Sequence, residues 1–155
     1  MHRRLGHDAL AKNIYENVLA INRQTEYHGS RVQAAVGLGY THLRLDEPAQ
    51  ARQQFELSLQ LYQSIGDIGG VVYAVEGLAG VAALEGQALK ATRLYAWADR
   101  VREEMKDPRP AFEQIYVDKC LAAVQQMLPK DAFQSAWLEG NTMTMDHAIH
   151  DALSA

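Results

Sequence analysis

At 155 residues, with 48% apolar residues and a net charge of −4, the chain suits one domain with a useful core. The acidic balance argues against a nucleic-acid face, which needs clustered Lys and Arg; none follows Lys130, whereas Asp131, Glu139, Asp146 and Asp151 do. No apolar run approaches the roughly 18–20 residues of a membrane span. Only four prolines occur, and no β-branched run alternates at period two, so an all-α fold is expected.

Asp8 is a plausible N-cap for a first helix to about Glu26, with Leu10, Ile14, Val18, Leu19 and Ile21 forming its apolar stripe. Ser30 caps a second helix to about Leu45. Asp46 then caps a third, with Pro48 in its first turn, where a missing N–H costs nothing. That helix carries Ala51, Phe55, Leu59 and Tyr62 and stops near Gly66. Asp67 caps a fourth through Leu84, closed by Gly86, and a fifth spans roughly Gln87 to Lys106 with Ala91, Leu94, Tyr95, Ala98 and Val101 inward. Trp97 and Trp137 read as core residues before ligand-cage residues; the alternative for Trp97, next to that inward face, is a sideways or outward position at an interface. Pro108 and Pro110 break the chain. Beyond them lie an amphipathic helix from Phe112 to Leu128 and a shorter one from Pro129 to Gly140, containing Phe133, Ala136 and Trp137. Thr144 caps a last helix in which Ala148, Ile149 and Leu153 pack.

One spacing runs through these elements. Ala11 and Tyr15 return forty residues later as Ala51 and Phe55, and again as Ala91 and Tyr95. Gly6, Asp46 and Gly86 mark the preceding turns in the same phase, and Gly37-Leu38 is answered by Gly77-Leu78. Coincident phases at one period read as a helical repeat. The domain organisation is therefore a half repeat over 8–26, repeats over 30–66 and 67–106, and divergent capping helices over 110–153. The chain opens on the second helix of a hairpin. Either Met1 stands inside a longer protein, or another chain covers this face; in the second case Leu10, Ile14 and Val18 form a self-association surface and a dimer follows.

The step from Leu38-Gly39 through Ala51 and Phe55 to Ser58, repeated by Leu78, Ala79, Ala91, Tyr95 and Ala98, resembles the tetratricopeptide signature, at a period of 40 in place of about 34. The segments Glu76-Gly77-Leu78-Ala79, Ala91-x-Arg93-Leu94 and Arg102-Glu103 are similar to the repeat arm of large bacterial signal-transducing ATPase regulators, including LuxR-like transcriptional activators. The run Phe133-x2-Ala136-Trp137-x2-Gly140-x2-Met143-Thr144-x3-Ala148-Ile149-x3-Leu153 resembles the segment closing that arm. The chain has no phosphate-binding loop, so ATP hydrolysis does not carry over.

The resemblance implies antiparallel hairpins, about eight helices in all, stacked as a short right-handed α-solenoid. First helices line its concave face, where Gln33, Val36, Tyr40, Tyr73 and Glu76 form a partner-binding strip continued by Tyr116. The rival reading packs Tyr40 and Tyr73 against the neighbouring helix. The expected function is a non-catalytic cytoplasmic docking arm for a protein or peptide, with an inducer-sensing arm or a self-association module as alternatives. No cofactor, nucleic acid or membrane is expected.

Candidate chemistry is sparse. His147 and His150 share a face beside Asp146 and Asp151, without the spacing of a zinc site. Cys120 lacks a base in sequence reach and reads as a buried thiol; as the lone cysteine it fits a reducing compartment. Gly37-x-Gly39 lies inside a helix and reads as small-residue packing.

Overall fold

The structure, a computed structural model, describes the backbone of residues 8–25 and 28–155 and the side chains of 8–17 and 32–155. Among the described residues the chain is all-α. Its eight helices are α1 (Asp8–Thr25), α2 (His28–Arg44), α3 (Pro48–Ile65), α4 (Ile68–Leu84), α5 (Ala88–Met105), α6 (Ala111–Met127), α7 (Lys130–Thr142) and α8 (Met145–Leu153). The chain divides into two compact units, 1–77 and 78–155, and the boundary falls inside α4.

The helices α3, α4 and α5 begin at residues 48, 68 and 88, so the step is one helix every 20 residues. The helix stops recur as strictly. Asp46, Gly66, Gly86 and Lys106 all take left-handed backbone, with φ of 58°, 69°, 76° and 55°. At each, two backbone N–H groups turn back onto the preceding helix. At Gly86 its own N–H reaches Ala83 O at 3.2 Å and the Gln87 N–H reaches Ala82 O at 2.8 Å; Asp46, Gly66 and Lys106 repeat the pattern. This Schellman closure satisfies carbonyls that a helix end leaves open.

Asp46 therefore does not cap α3, as its residue type suggests; it closes α2. Glu47 holds the cap position of α3 without its side chain accepting from the first turn of that helix. Asp8 is already helical, and Ser30 lies inside α2. Asp67 and Thr144 do cap, accepting the Gly70 N–H at 2.9 Å and the His147 N–H at 3.1 Å.

A left-handed residue with a Cβ costs about 1–2 kcal/mol, which glycine avoids. A Cβ at Gly86 would meet nothing within 4 Å, so only the backbone would object. We expect Gly86→Ala to lower stability by about 1 kcal/mol and Lys106→Gly to raise it by about 0.5 kcal/mol. Urea midpoints at unchanged m-value test both.

Within the first unit, α2 packs against α1 and α3. The repeated aromatics sit in notches made by glycine. Tyr15 of α1 lies over Gly37 of α2, and Phe55 of α3, 0% exposed, lies over Gly39 of α2 and Gly77 of α4. The pairs 15–37 and 55–77 have the same offset, so the sequence repeat is a packing repeat. Ala34, Ala35 and Leu38 complete a small core with Tyr15 and Leu57 against it. Lys12 of α1 reaches Glu47 at 3.7 Å, and His42 Nδ1, on a buried ring, lies 3.1 Å from the same carboxylate. The His42 hydrogen bond foremost, with Lys12 adding to it, holds the Glu47 carboxyl below its usual pKa.

Within the second unit, α5 is the central element, packed by α6, α7 and α8. Gly140 of α7 lies directly on the Arg93 carbonyl and Ala96 of α5. Arg93 reaches Asp151 of α8 through two hydrogen bonds of 2.9 and 3.0 Å, and Arg100 binds the Asn141 carbonyl and, at 2.8 Å, that of Met143. The Asp151 hydrogen bonds raise the Arg93 pKa further above its ordinary value. This covering decides between the two readings of Trp97, for the core and against the outward position. The indole is 1% exposed, because α5 is wrapped on more faces than a half-buried helix would be. Its Nε1–H, although buried, has no acceptor among the described residues. Leu153, expected to pack, is 46% exposed instead, and Ile115 of α6 is 67% exposed.

Candidate functional site

The α6 and α7 helices are joined by Leu128 and Pro129, and both rest on α5. Two extended residues turn the chain here. Leu128 ends α6 at ψ 144° and Pro129 opens α7 at ψ 150°. Beside the α6 core residues Val117, Cys120 and Val124, the pair encloses a groove of about 500 Å³. Its lining is Leu121 and Gln125 from α6 with Phe133, Gln134, Trp137 and Leu138 from α7. Each set follows i, i+4 spacing, which aligns side chains along one helix face.

The groove has an aromatic wall, an aliphatic wall and no ionisable lining. Phe133 and Trp137 stack with centroids 5.9 Å apart at 24°. Leu138 is 66% exposed. Gln125 and Gln134 supply amides that both donate and accept. Large apolar side chains held open to water in one place mark interaction surfaces. The α6 wall is anchored where the chain enters it. Arg109 pairs with Asp99 of α5 and donates to Gln114 at 3.0 Å, and Gln114 donates to Asp118 at 2.8 Å.

The strip expected on the first helices is differently placed. Gln33 is exposed and Tyr73 half-buried, but Val36, Tyr40 and Glu76 are 6%, 3% and 2% exposed. Tyr40 meets the edge of Phe55 at 5.1 Å and that of Tyr73 at 6.1 Å. It acts as packing in this chain, so a continuous accessible strip does not form from these residues. Tyr116 belongs to the other unit, half-buried on α6. On α1, Leu10 and Ile14 are 48% and 40% exposed while Ala11 is buried; the Val18 side chain lies outside the described residues.

The remaining chemical candidates resolve locally. Cys120 is buried, and desolvation pushes its thiol pKa up against the opposing hydrogen bonds of Tyr95 and Tyr116, the reverse of what a nucleophile needs. His147 and His150 are exposed, and Asp151 is engaged by Arg93. Among the described residues no three His, Cys, Asp or Glu side chains converge as a metal site requires. A polar cleft at the end of α5 holds Arg102 paired with Asp107 and Arg109 paired with Asp99, so both of its arginines are already engaged. No described helix is long and apolar enough to cross a membrane.

Sequence periodicity could not find the groove. Phe133 and Trp137 read as core because their spacing is helical, and nothing local says which side of α7 rests on α5. Gly140 marks the face of α7 that must approach another backbone, but Trp137 and Phe133, three and seven residues before it, lie along that same face, so the glycine does not locate the groove. No protein-family model, curated protein or solved structure matches the chain.

Proposed function

We propose that this chain is a non-catalytic helical-repeat docking module of tetratricopeptide type, the arm of a regulator, which binds a protein segment through the groove between α6 and α7. The observation that carries the reading is the uncharged groove itself, lined by the half-buried Phe133–Trp137 stack with Leu138 open to water. Aromatic anchors in such a setting give contact area at low entropic cost. A helical or extended segment with apolar residues at regular spacing fits the paired walls, and the two glutamines hold its register through hydrogen bonds.

Trp137 reports on the site. In a Trp97→Phe background, selection of displayed 16-residue peptides is expected to yield binders rich in apolar residues, and each should shift Trp137 emission saturably. Leu138→Glu should weaken them by about tenfold or more, as expected for a charge placed in an apolar contact. Binders insensitive to that substitution would place docking elsewhere. An inducer-sensing reading draws on the same groove, whose volume lies within the usual range for small-molecule sites. A saturable rise in melting temperature with neutral aromatic metabolites, in the absence of peptide binding, would favour it.

A further inference from the structure

The fit of ring into glycine notch holds for two of the three repeated aromatics. Tyr15 lies over Gly37 and Phe55 over Gly77, each glycine 22 positions after its ring, and Phe55 has a second glycine, Gly39, 16 positions before it. Tyr95 is the third ring of the series, and the residues in phase with those glycines are Val117 and Ala79. Tyr95 and Val117 are both buried, at 1% and 2% exposed. Even the first carbon of a side chain at Gly37 or Gly77 would overlap the ring above it, and valine carries two methyls beyond that carbon. Tyr95 therefore cannot nest in α6 as its predecessors nest in α2 and α4. Its hydroxyl meets the Cys120 thiol instead, three residues further along α6.

Helix packing changes at the same place. Where the glycine is present, α1 and α2 lie close along much of their length; α6 approaches α5 closely over less of its own. The close position on α5 belongs to α7, through Gly140 against the Arg93 carbonyl and Ala96. We infer that Val117 is a positioning residue for the α6–α7 groove, an inference that rests on the docking reading for its functional meaning. Its branched side chain, set against the Tyr95 ring, holds α6 off α5. Leu121 and Gln125, four and eight residues on, are thereby kept as a wall facing α7. Packed helices lie roughly 8–10 Å apart according to the side chains at the contact, so valine in place of glycine accounts for about 1–2 Å of separation. A wall displaced by that much no longer matches a segment that fits the present groove. Val124, also buried on α6, stands in phase with Leu84 and Arg44 and fills no such notch.

Trp137, in the Trp97→Phe background of the full chain, reads the groove. Val117→Gly, and to a smaller extent Val117→Ala, should let α6 settle towards Tyr95 and draw Leu121 and Gln125 away from α7. Acrylamide quenching of Trp137 should then rise, at temperatures where circular dichroism shows each variant folded. Val117→Thr keeps the branched shape but buries a hydroxyl, so it should lower the urea midpoint and leave quenching unchanged. Val124→Ala opens a hole elsewhere on the same helix and should do likewise. Unchanged quenching in both Val117→Gly and Val117→Ala overturns the inference. So does an equal rise in Val117→Thr or Val124→Ala, which would trace the effect to lost stability and not to the shape of residue 117. Peptides selected on the parent groove should bind Val117→Gly more weakly and Val117→Thr as before. Failure to select any peptide counts against the docking reading alone, because the quenching comparison needs no ligand.

Discussion

Replacing Gly77 by alanine is expected to destabilise the chain by about 3 kcal/mol, the upper end of what overpacking a tight core costs. The added methyl would fall within the van der Waals envelope of the Phe55 ring, and Phe55 cannot retreat. It is 0% exposed, and from the other side a Cβ at Gly39 would already stand 2.8 Å from the same ring. Either α4 lifts from α3 or the ring leaves its rotamer. Urea unfolding followed by circular dichroism measures the loss. Pairing the substitution with Phe55→Leu provides the control. If the clash is the cause, the double variant should be more stable than the sum of the two losses predicts, by at least about 1 kcal/mol. Simple additivity would mean that Gly77 matters for another reason.

Gly140→Ala is expected to cost a similar amount in the second unit, about 3 kcal/mol, and to alter the groove as well. Here the methyl would meet the Arg93 carbonyl oxygen and the Ala96 Cβ, backbone and near-backbone atoms that no rotamer change can move. The α7 helix must shift away from α5, carrying Phe133 and Trp137 with it and loosening the hold of Arg100 on the Asn141 and Met143 carbonyls. Acrylamide quenching of Trp137 in the Trp97→Phe background should therefore change even at temperatures where the variant stays folded. An unchanged quenching constant with normal stability would show that α7 tolerates the methyl without moving.

The two substitutions bear on function differently. Gly77 secures the repeat packing of α3 on α4. Gly140 sets how closely α7 approaches α5, and Trp137 and Leu138 of the same helix border the groove. In the docking reading, binding depends on the second glycine more directly than on the first.

Much of this architecture was legible before any coordinates. The Ala-x3-aromatic step and the answering glycines marked a helical repeat because small residues opposite rings are what close helix approach requires. Asp67 and Thr144 declared their caps through side-chain chemistry that acts within three residues. Asp46 misled for the same reason it informed: aspartate serves both as an N-cap and as one of the few residues with a Cβ found in left-handed backbone. Choosing between these roles depends on the φ of 58° that the chain adopts there.

By itself, then, the sequence determined what is local: helical periods, breaks at proline and left-handed glycine, and a repeat written in residue size. Tertiary structure alone decided which faces meet. It buried Tyr40 and Glu76, which the repeat register assigned to an open strip. It enclosed Trp97 by laying α7 and α8 over α5, left Trp137 half-buried along a groove and turned Leu138 outward. A helix period reports that apolar residues share a face but carries no information about which neighbour covers it. That depends on contacts between residues such as Arg93 and Asp151, 58 positions apart.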